Sequence, residues 1–314
     1  MTAPPAPPAV VAGTAHLFGL VEGDDASRAL LQEAWDAGVR RFDTAPSYGG
    51  GRTEAELGAF LAGRDGVQVV ATKVGLAPAL GTRGGGRQLV RVARAVLPEA
   101  VTQRLRRASQ ERSRGRFDPA AVQESLAESL RRLGGRVDRY LLHEVQPEEV
   151  TPELVAVLRR AVEAGDVGAA GVATQAGLTA AAVERGGGVL TVAQYAAGPL
   201  DPPVHLPPEV TTRVGHGLLG AGGAALRHLT GRLREDPAAA ERWRAAVAGT
   251  GYDAEDGLAR ALLARRPEGV DEVVLATSRP GRIAGAVAAV GAGPLPDPVR
   301  DAVQVLVGGG DPTT

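Results

Sequence analysis

Four ionisable residues pose the chemical question: Asp43, Tyr48, Lys73 and His143. The chain holds 35 lysines and arginines together, and Lys73 is the only lysine. Where arginine serves everywhere else, one compact ammonium points to a task that a bulky guanidinium fork does not fit. A tyrosine with an ordinary pKa of about 10 is a poor acid at neutral pH. An ammonium beside it stabilises the phenolate and is expected to lower that value. A carboxylate next to the ammonium would hold it in place, and an imidazole could orient a carbonyl oxygen or share its proton. The set suits proton transfer to and from a carbonyl oxygen. Each residue also has a bland role: Asp43 as a helix cap, Tyr48 as a loop lining, His143 as a core imidazole. The bland roles do not explain why all four fall at the ends of successive strands or just after one.

Other chemistries are poorly served. With no cysteine among 314 residues, thiolate nucleophiles, thiolate metal sites and disulfides are excluded. His16, His143, His205, His216 and His228 show no metal-binding spacing, so no metal is expected. A formal net charge of -1 argues against a dedicated nucleic-acid or membrane-surface partner. The opening MTAPPAPPAVVAG lacks the basic and apolar regions of a signal peptide, and no run of 18 apolar residues exists. A cytoplasmic protein is expected.

The elements that must position these residues alternate along the chain. Strands are expected at 9–13, 39–43, 67–73, 137–143, 168–173, 189–194, 209–214 and 271–277. The run at 209–214 is the weakest of them. Helices are expected over 25–37, 53–62, 118–133 and 151–164, with a short one after 173. Others follow near 222–233, 237–248, 254–265, 280–290 and 298–306. Eight strand–helix units predict an α/β chain folded as a (β/α)8 TIM barrel, a single domain over 9–314 behind a Pro-rich tail at 1–8. An open doubly wound sheet is the alternative, but no GxGxxG opens its first turn. In a barrel, residues at the C-terminal strand ends converge on one mouth. Asp43, Lys73 and His143 end strands two, three and four, and Tyr48 follows Asp43 by five residues.

The stretch between strand three and its helix, 76–117, reads as an insertion. Within it, residues 83–116 carry ten arginines against Glu99 and Glu111, a local charge of +8. It reads either as a solvated surface segment or as a basic lid that favours an anionic ligand. Its lack of aromatics apart from Phe117 at the edge weighs against RNA.

FDTAPSYGGGRTEAELGAFL (42–61), ATK (71–73) and YLLH (140–143) resemble, in order and spacing, the signature segments of the aldo-keto reductase superfamily. The resemblance runs from about residue 9 to 290. It implies a nicotinamide-dependent oxidoreductase acting on a small carbonyl or alcohol, anionic or sugar-like. Tyr48 would be the proton donor and acceptor, Asp43 and Lys73 would tune it, and His143 would orient the substrate. The resemblance also implies cofactor contacts at Gly13 and Thr14, at Asp43 and Thr174, and at Gln194, with Tyr195 stacking on the nicotinamide ring. Gly217, Leu218 and Gly220 would wrap the pyrophosphate. Ser278, Arg279 and Arg282 would hold a 2′-phosphate, which implies NADP(H) in preference to NAD(H).

The chain departs from the family pattern in several places. Ala173-Thr174 stands where a Ser-Asn pair is usual, and Gly285-Ala286 where a Glu-Asn pair is common. The N-terminal hairpin is absent or reduced to the Pro-rich tail. The insertion after strand three is long, as in sugar-dehydrogenase-like members. The altered contacts leave open a second reading, a non-catalytic relative that binds NADP(H) as a regulatory ligand.

Overall fold

The computed structural model describes residues 8–19, 23–76, 117–265 and 267–308. Strand and helix alternate as β1 (Ala9–Gly13), α1 (Asp24–Asp36), β2 (Arg41–Asp43), α2 (Thr53–Leu61), β3 (Val69–Val74) and α3 (Pro119–Arg132). The chain continues as β4 (Arg139–His143), α4 (Pro152–Glu163), β5 (Ala169–Ala173), α5 (Ala176–Arg185), β6 (Leu190–Ala196) and β7 (Thr212–His216). It ends with α6 (Ala224–Glu235), α7 (Pro237–Val247), α8 (Gly257–Ala264), β8 (Glu272–Leu275), α9 (Ile283–Gly291) and α10 (Asp297–Gly308). The strands run parallel and close in sequence order, with Val10 of β1 paired to Val273 of β8. This is the expected (β/α)8 barrel. Residues 1–7 of the Pro-rich tail and the basic segment at 83–116 lie outside the described residues.

Helix starts follow from local chemistry. Asp118 precedes Pro119 and accepts hydrogen bonds from the N–H groups of Ala120 and Ala121 at 3.0 and 3.2 Å. Asp236 caps Ala238 and Ala239 in the same way, again with proline next in line. The side-chain oxygen satisfies free amides, and proline has no N–H to leave unpaired.

Alternation along each strand separates the barrel interior from the helix-facing shell. Tyr140 and Leu142 of β4 join the large outer core, while Leu141 packs with Ala173, Val192 and Val214 inside the barrel. Below that apolar layer lies an ionic one. Glu272 of β8 accepts from Arg41 of β2 at 2.8 Å and from Arg139 of β4 at 2.5 and 2.9 Å. These strands are not neighbours, so the contacts cross the interior at the barrel's N-terminal end. The third, upper layer holds Asp43, Lys73, His143 and Gln194.

Strand β7 differs from expectation, occupying 212–216 and not 209–214. The Val210 N–H is spent on a turn with the Pro207 carbonyl. Pairing of Ala196 with His216 and of His216 with Val274 instead draws two weak strand formers, Gly215 and His216, into the barrel. Neighbouring strands on both sides override local propensity here.

Candidate active site

Asp43 and Lys73 sit at the C-terminal ends of adjacent strands, only 4% and 2% exposed. Lys73 Nζ donates to Asp43 Oδ1 at 2.5 Å and to the Thr44 carbonyl at 3.0 Å. From across the barrel, Gln194 Nε2 donates to Asp43 Oδ2 at 2.9 Å. Both carboxylate oxygens are thus engaged, which fixes the ammonium. Thr14 adds a brace: its N–H and hydroxyl both donate to the Asp43 carbonyl.

Tyr48 is positioned by a tight turn. Its N–H donates to the Ala45 carbonyl at 3.0 Å. Gly49, next in line, has φ +55°, and a Cβ there would lie 2.3 Å from Thr53 Oγ1. Only glycine lets the chain turn so closely into α2. The start of α2 is fastened in turn by Glu54, which accepts from Thr72 of β3 at 2.7 Å and from Arg132 of α3 at 3.1 Å. Lys73 Nζ lies 5.1 Å from the centroid of the Tyr48 ring. The Tyr48 and His143 rings meet edge to face, with centroids 6.0 Å apart. All four expected residues therefore come together at the mouth.

The electrostatics correct one expectation. Burial pushes the Tyr48 hydroxyl above its ordinary value; Lys73 opposes this, Asp43 adds to it, and the net shift is upward. The ammonium lowers the phenol as expected, but desolvation outweighs it, so the neutral phenol persists at neutral pH. Lys73 is pulled down by burial, yet Asp43 and Tyr48 more than compensate and its ammonium is held above the usual range. His143 is pushed down to about 3 by burial, with Lys73 and His216 contributing, so its ring is neutral. His216 is also lowered, chiefly by desolvation within the mouth, although its side chain keeps access to solvent.

The candidate cofactor residues divide. Gln194 faces the mouth, and Gly217 and Gly220 close a tight turn after β7, with Gly220 N–H on the Gly217 carbonyl at 2.6 Å. Ser278, Arg279 and Arg282 follow β8, and both guanidines are exposed. Tyr195 does not stack at the mouth. Gln194 points inward, so its neighbour points outward, and the Tyr195 ring is buried in the outer core. Leu218 is buried with Val273 and Leu275, which leaves only its backbone for a ligand. Thr174 is buried with its hydroxyl committed to the Val145 carbonyl at 3.1 Å, and Thr14 is wholly buried in its brace. Gly13 is required by packing, since a Cβ would lie 2.7 Å from Val274 Cγ1.

Two residues escaped the sequence reading. His216 ends β7 exposed at the mouth, electrostatically coupled to Asp43 and Lys73. The strand was expected to end at residue 214, which left this histidine two residues beyond it. Glu33 accepts from the N–H groups of Gly281, Ile283 and Ala284 at 2.9, 2.9 and 3.3 Å. No local pattern in 277–282 could reveal a carboxylate arriving from α1.

Phe117, which follows the undescribed stretch, packs beside this site. Phe117 is buried, and a Cβ on Gly75 would meet its ring at 2.5 Å and the His143 carbonyl at 2.8 Å.

The closed parallel barrel and the four-residue cluster at its mouth define a (β/α)8 protein equipped for proton transfer. The family model of the aldo/keto reductases matches residues 9–193, and the chain belongs to that family. Two curated relatives match over short stretches. One is a D-threo-aldose 1-dehydrogenase of Pseudomonas sp, 46% identical over 71 residues, 22% of each chain. The other is a pyridoxal 4-dehydrogenase of Microbacterium luteolum, 50% identical over 66 residues, 20% of this chain and 19% of the relative. The matched stretches thus span about a fifth of those relatives. Among solved structures, a glycerol dehydrogenase of Gluconobacter oxydans is 20% identical with a TM-score of 0.68, covering 97% of this chain and 94% of its own. An aldo-keto reductase of Bacillus halodurans in its holo form is 18% identical with a TM-score of 0.64, covering 95% and 91%. No described helix is long and apolar enough to cross a membrane.

Proposed function

We propose that this chain is a nicotinamide-dependent oxidoreductase that interconverts a small aldehyde or ketone and its alcohol. The observation that carries the proposal is the Gln194–Asp43–Lys73 chain of hydrogen bonds, with Tyr48 over its cationic end. Tyr48 gives a proton to the carbonyl oxygen in reduction and takes it back in oxidation. Its raised pKa keeps that proton in place at neutral pH. As charge moves onto the phenolate, the fixed ammonium of Lys73 stabilises it without having to reorganise. The neutral His143 ring stands beside Tyr48 and orients the carbonyl oxygen.

The donor set fits a dinucleotide. Gln194 spends its N–H on Asp43, and its carbonyl oxygen accepts no hydrogen bond from the described residues. That oxygen can accept from a carboxamide N–H of the nicotinamide. The turn at Gly217–Gly220 and the segment at 277–284 occupy the region after strands seven and eight, where barrels commonly bind phosphate. The cofactor, when bound, supplies the hydride chemistry. The sequence favours NADP(H) through Ser278, Arg279 and Arg282. The position of Glu33, on the amides of Gly281, Ile283 and Ala284, bears on that choice.

The substrate is a small polyol, sugar or aromatic aldehyde, in keeping with what the matched relatives are named for. The complete cluster of Asp43, Tyr48, Lys73 and His143 supports catalysis over a purely regulatory role. Turnover of a panel of aldoses, glycerol and pyridoxal with either nicotinamide cofactor, compared with Tyr48→Phe, tests the assignment.

A further inference from the structure

We infer that Glu33 makes this site discriminate against a 2′-phosphate, so that the chain prefers NAD(H) to NADP(H). The inference rests on the nicotinamide-dinucleotide reading above and reverses the cofactor expectation drawn from Ser278, Arg279 and Arg282.

In a barrel, the loop after β8 and the N-terminus of the helix that follows form a ready anion site. Here that helix is α9, which starts at Ile283, and its first amides are already taken. Glu33 Oε1 accepts from Ile283 and Ala284, and Oε2 accepts from Gly281. The carboxylate belongs to α1, 250 residues earlier in the chain, and is held in place by these fixed backbone donors. The positive end of α9 is thereby neutralised from within.

A phosphomonoester carries close to two negative charges at neutral pH. Arriving here, it would meet a carboxylate where the free amides would have been. The remaining attraction comes from Arg279 and Arg282, both exposed. Exposed guanidinium pairs are screened and contribute only about one- to fivefold each in affinity. Losing a charged hydrogen bond to the amides costs roughly 10–150-fold. The anchored carboxylate therefore outweighs the two solvated cations.

A ribose without the phosphate fits better. Glu33 Oε2 has one recorded donor where a carboxylate oxygen can take two, so acceptor capacity remains for a hydroxyl. An acidic side chain bonded to the ribose 2′-OH, in place of an arginine on a 2′-phosphate, is the general basis of NAD selection at dinucleotide sites.

Titration of the full chain with NADH and with NADPH, followed by nicotinamide fluorescence, reads this without turnover. The wild type is expected to bind NADH at least about tenfold more tightly than NADPH. Glu33→Gln, which keeps the shape and removes the charge, is expected to shift the ratio of NADPH to NADH affinity about tenfold toward NADPH. Glu33→Ala serves as a second variant, with thermal melting to confirm that each folds. A wild type that binds NADPH more tightly, or a ratio unmoved in both variants, overturns the inference while leaving the dinucleotide reading intact. Binding of neither cofactor overturns both.

Discussion

Gln194 and Asp43 stand 151 positions apart in the chain and meet across the barrel through a 2.9 Å hydrogen bond. That bond joins the residue expected to face the nicotinamide to the carboxylate that fixes Lys73. The proposed cofactor site and the proposed proton-transfer site thus share one polar network. Perturbing either end should be felt at the other.

Asp43→Asn leaves the shape but removes the charge opposite a lysine that is 2% exposed. An unpaired buried charge costs about 3–5 kcal/mol. Thermal or denaturant unfolding of this variant should show a loss of that order, and the paired variant Asp43→Asn/Lys73→Met should recover part of it. An Asp43→Asn protein as stable as wild type would mean the pair contributes little to the folded state.

The Arg41–Glu272–Arg139 layer lies at the opposite end of the barrel from the mouth. Glu272→Gln should lower stability by about 3 kcal/mol, the smaller end of the range for a broken buried pair, because Arg41 is partly solvated. Cofactor affinity should stay near wild type, since no element of the mouth is touched. A large loss of affinity with unchanged stability would contradict the assignment of this layer to the fold.

His143 gives a pH signature. The unfolded chain takes up a proton at this ring near its ordinary 6.5, while the folded ring resists until about 3. Between those values the unfolded state binds more protons, so stability falls as pH drops from 6.5 toward 3 and is regained as pH rises. In His143→Gln the acid limb of a melting-temperature profile should be shallower across that window. An identical profile would mean that the histidine is not held neutral.

Much of this was legible from the strand pattern. Asp43, Lys73 and His143 were legible because each ends an expected strand, and barrel topology does the rest. The Asp-Pro-Ala starts of α3 and α7 were equally local. What escaped depends on contacts distant in sequence. Tyr195 looked available until the inward direction of Gln194 turned it into the outer core. Glu33 sits in an ordinary amphipathic helix, and only packing brings it to Gly281. The meeting of Arg41, Arg139 and Glu272 depends on barrel closure, which no local pattern shows. The shift of β7 arose because pairing with β6 and β8, not propensity, decides which residues extend.

The raised pKa of Tyr48 has its own kinetic consequence. Carbonyl reduction needs the protonated phenol, so its rate should hold level through neutral pH and decline only above the ordinary tyrosine range. Oxidation needs the phenolate and should rise with pH over the same range. A reduction rate that halves between pH 6 and 8 would assign the proton to another group.

The most direct measurement pairs cofactor titration with turnover for wild type and Tyr48→Phe. Both should bind the nicotinamide cofactor with similar affinity, because the hydroxyl acts on the substrate's oxygen. Turnover of any substrate accepted by the wild type should drop by roughly 10²–10⁴-fold, the usual worth of a positioned acid. A Tyr48→Phe protein that reduces the same carbonyl at the wild-type rate would contradict the proton-donor role of Tyr48.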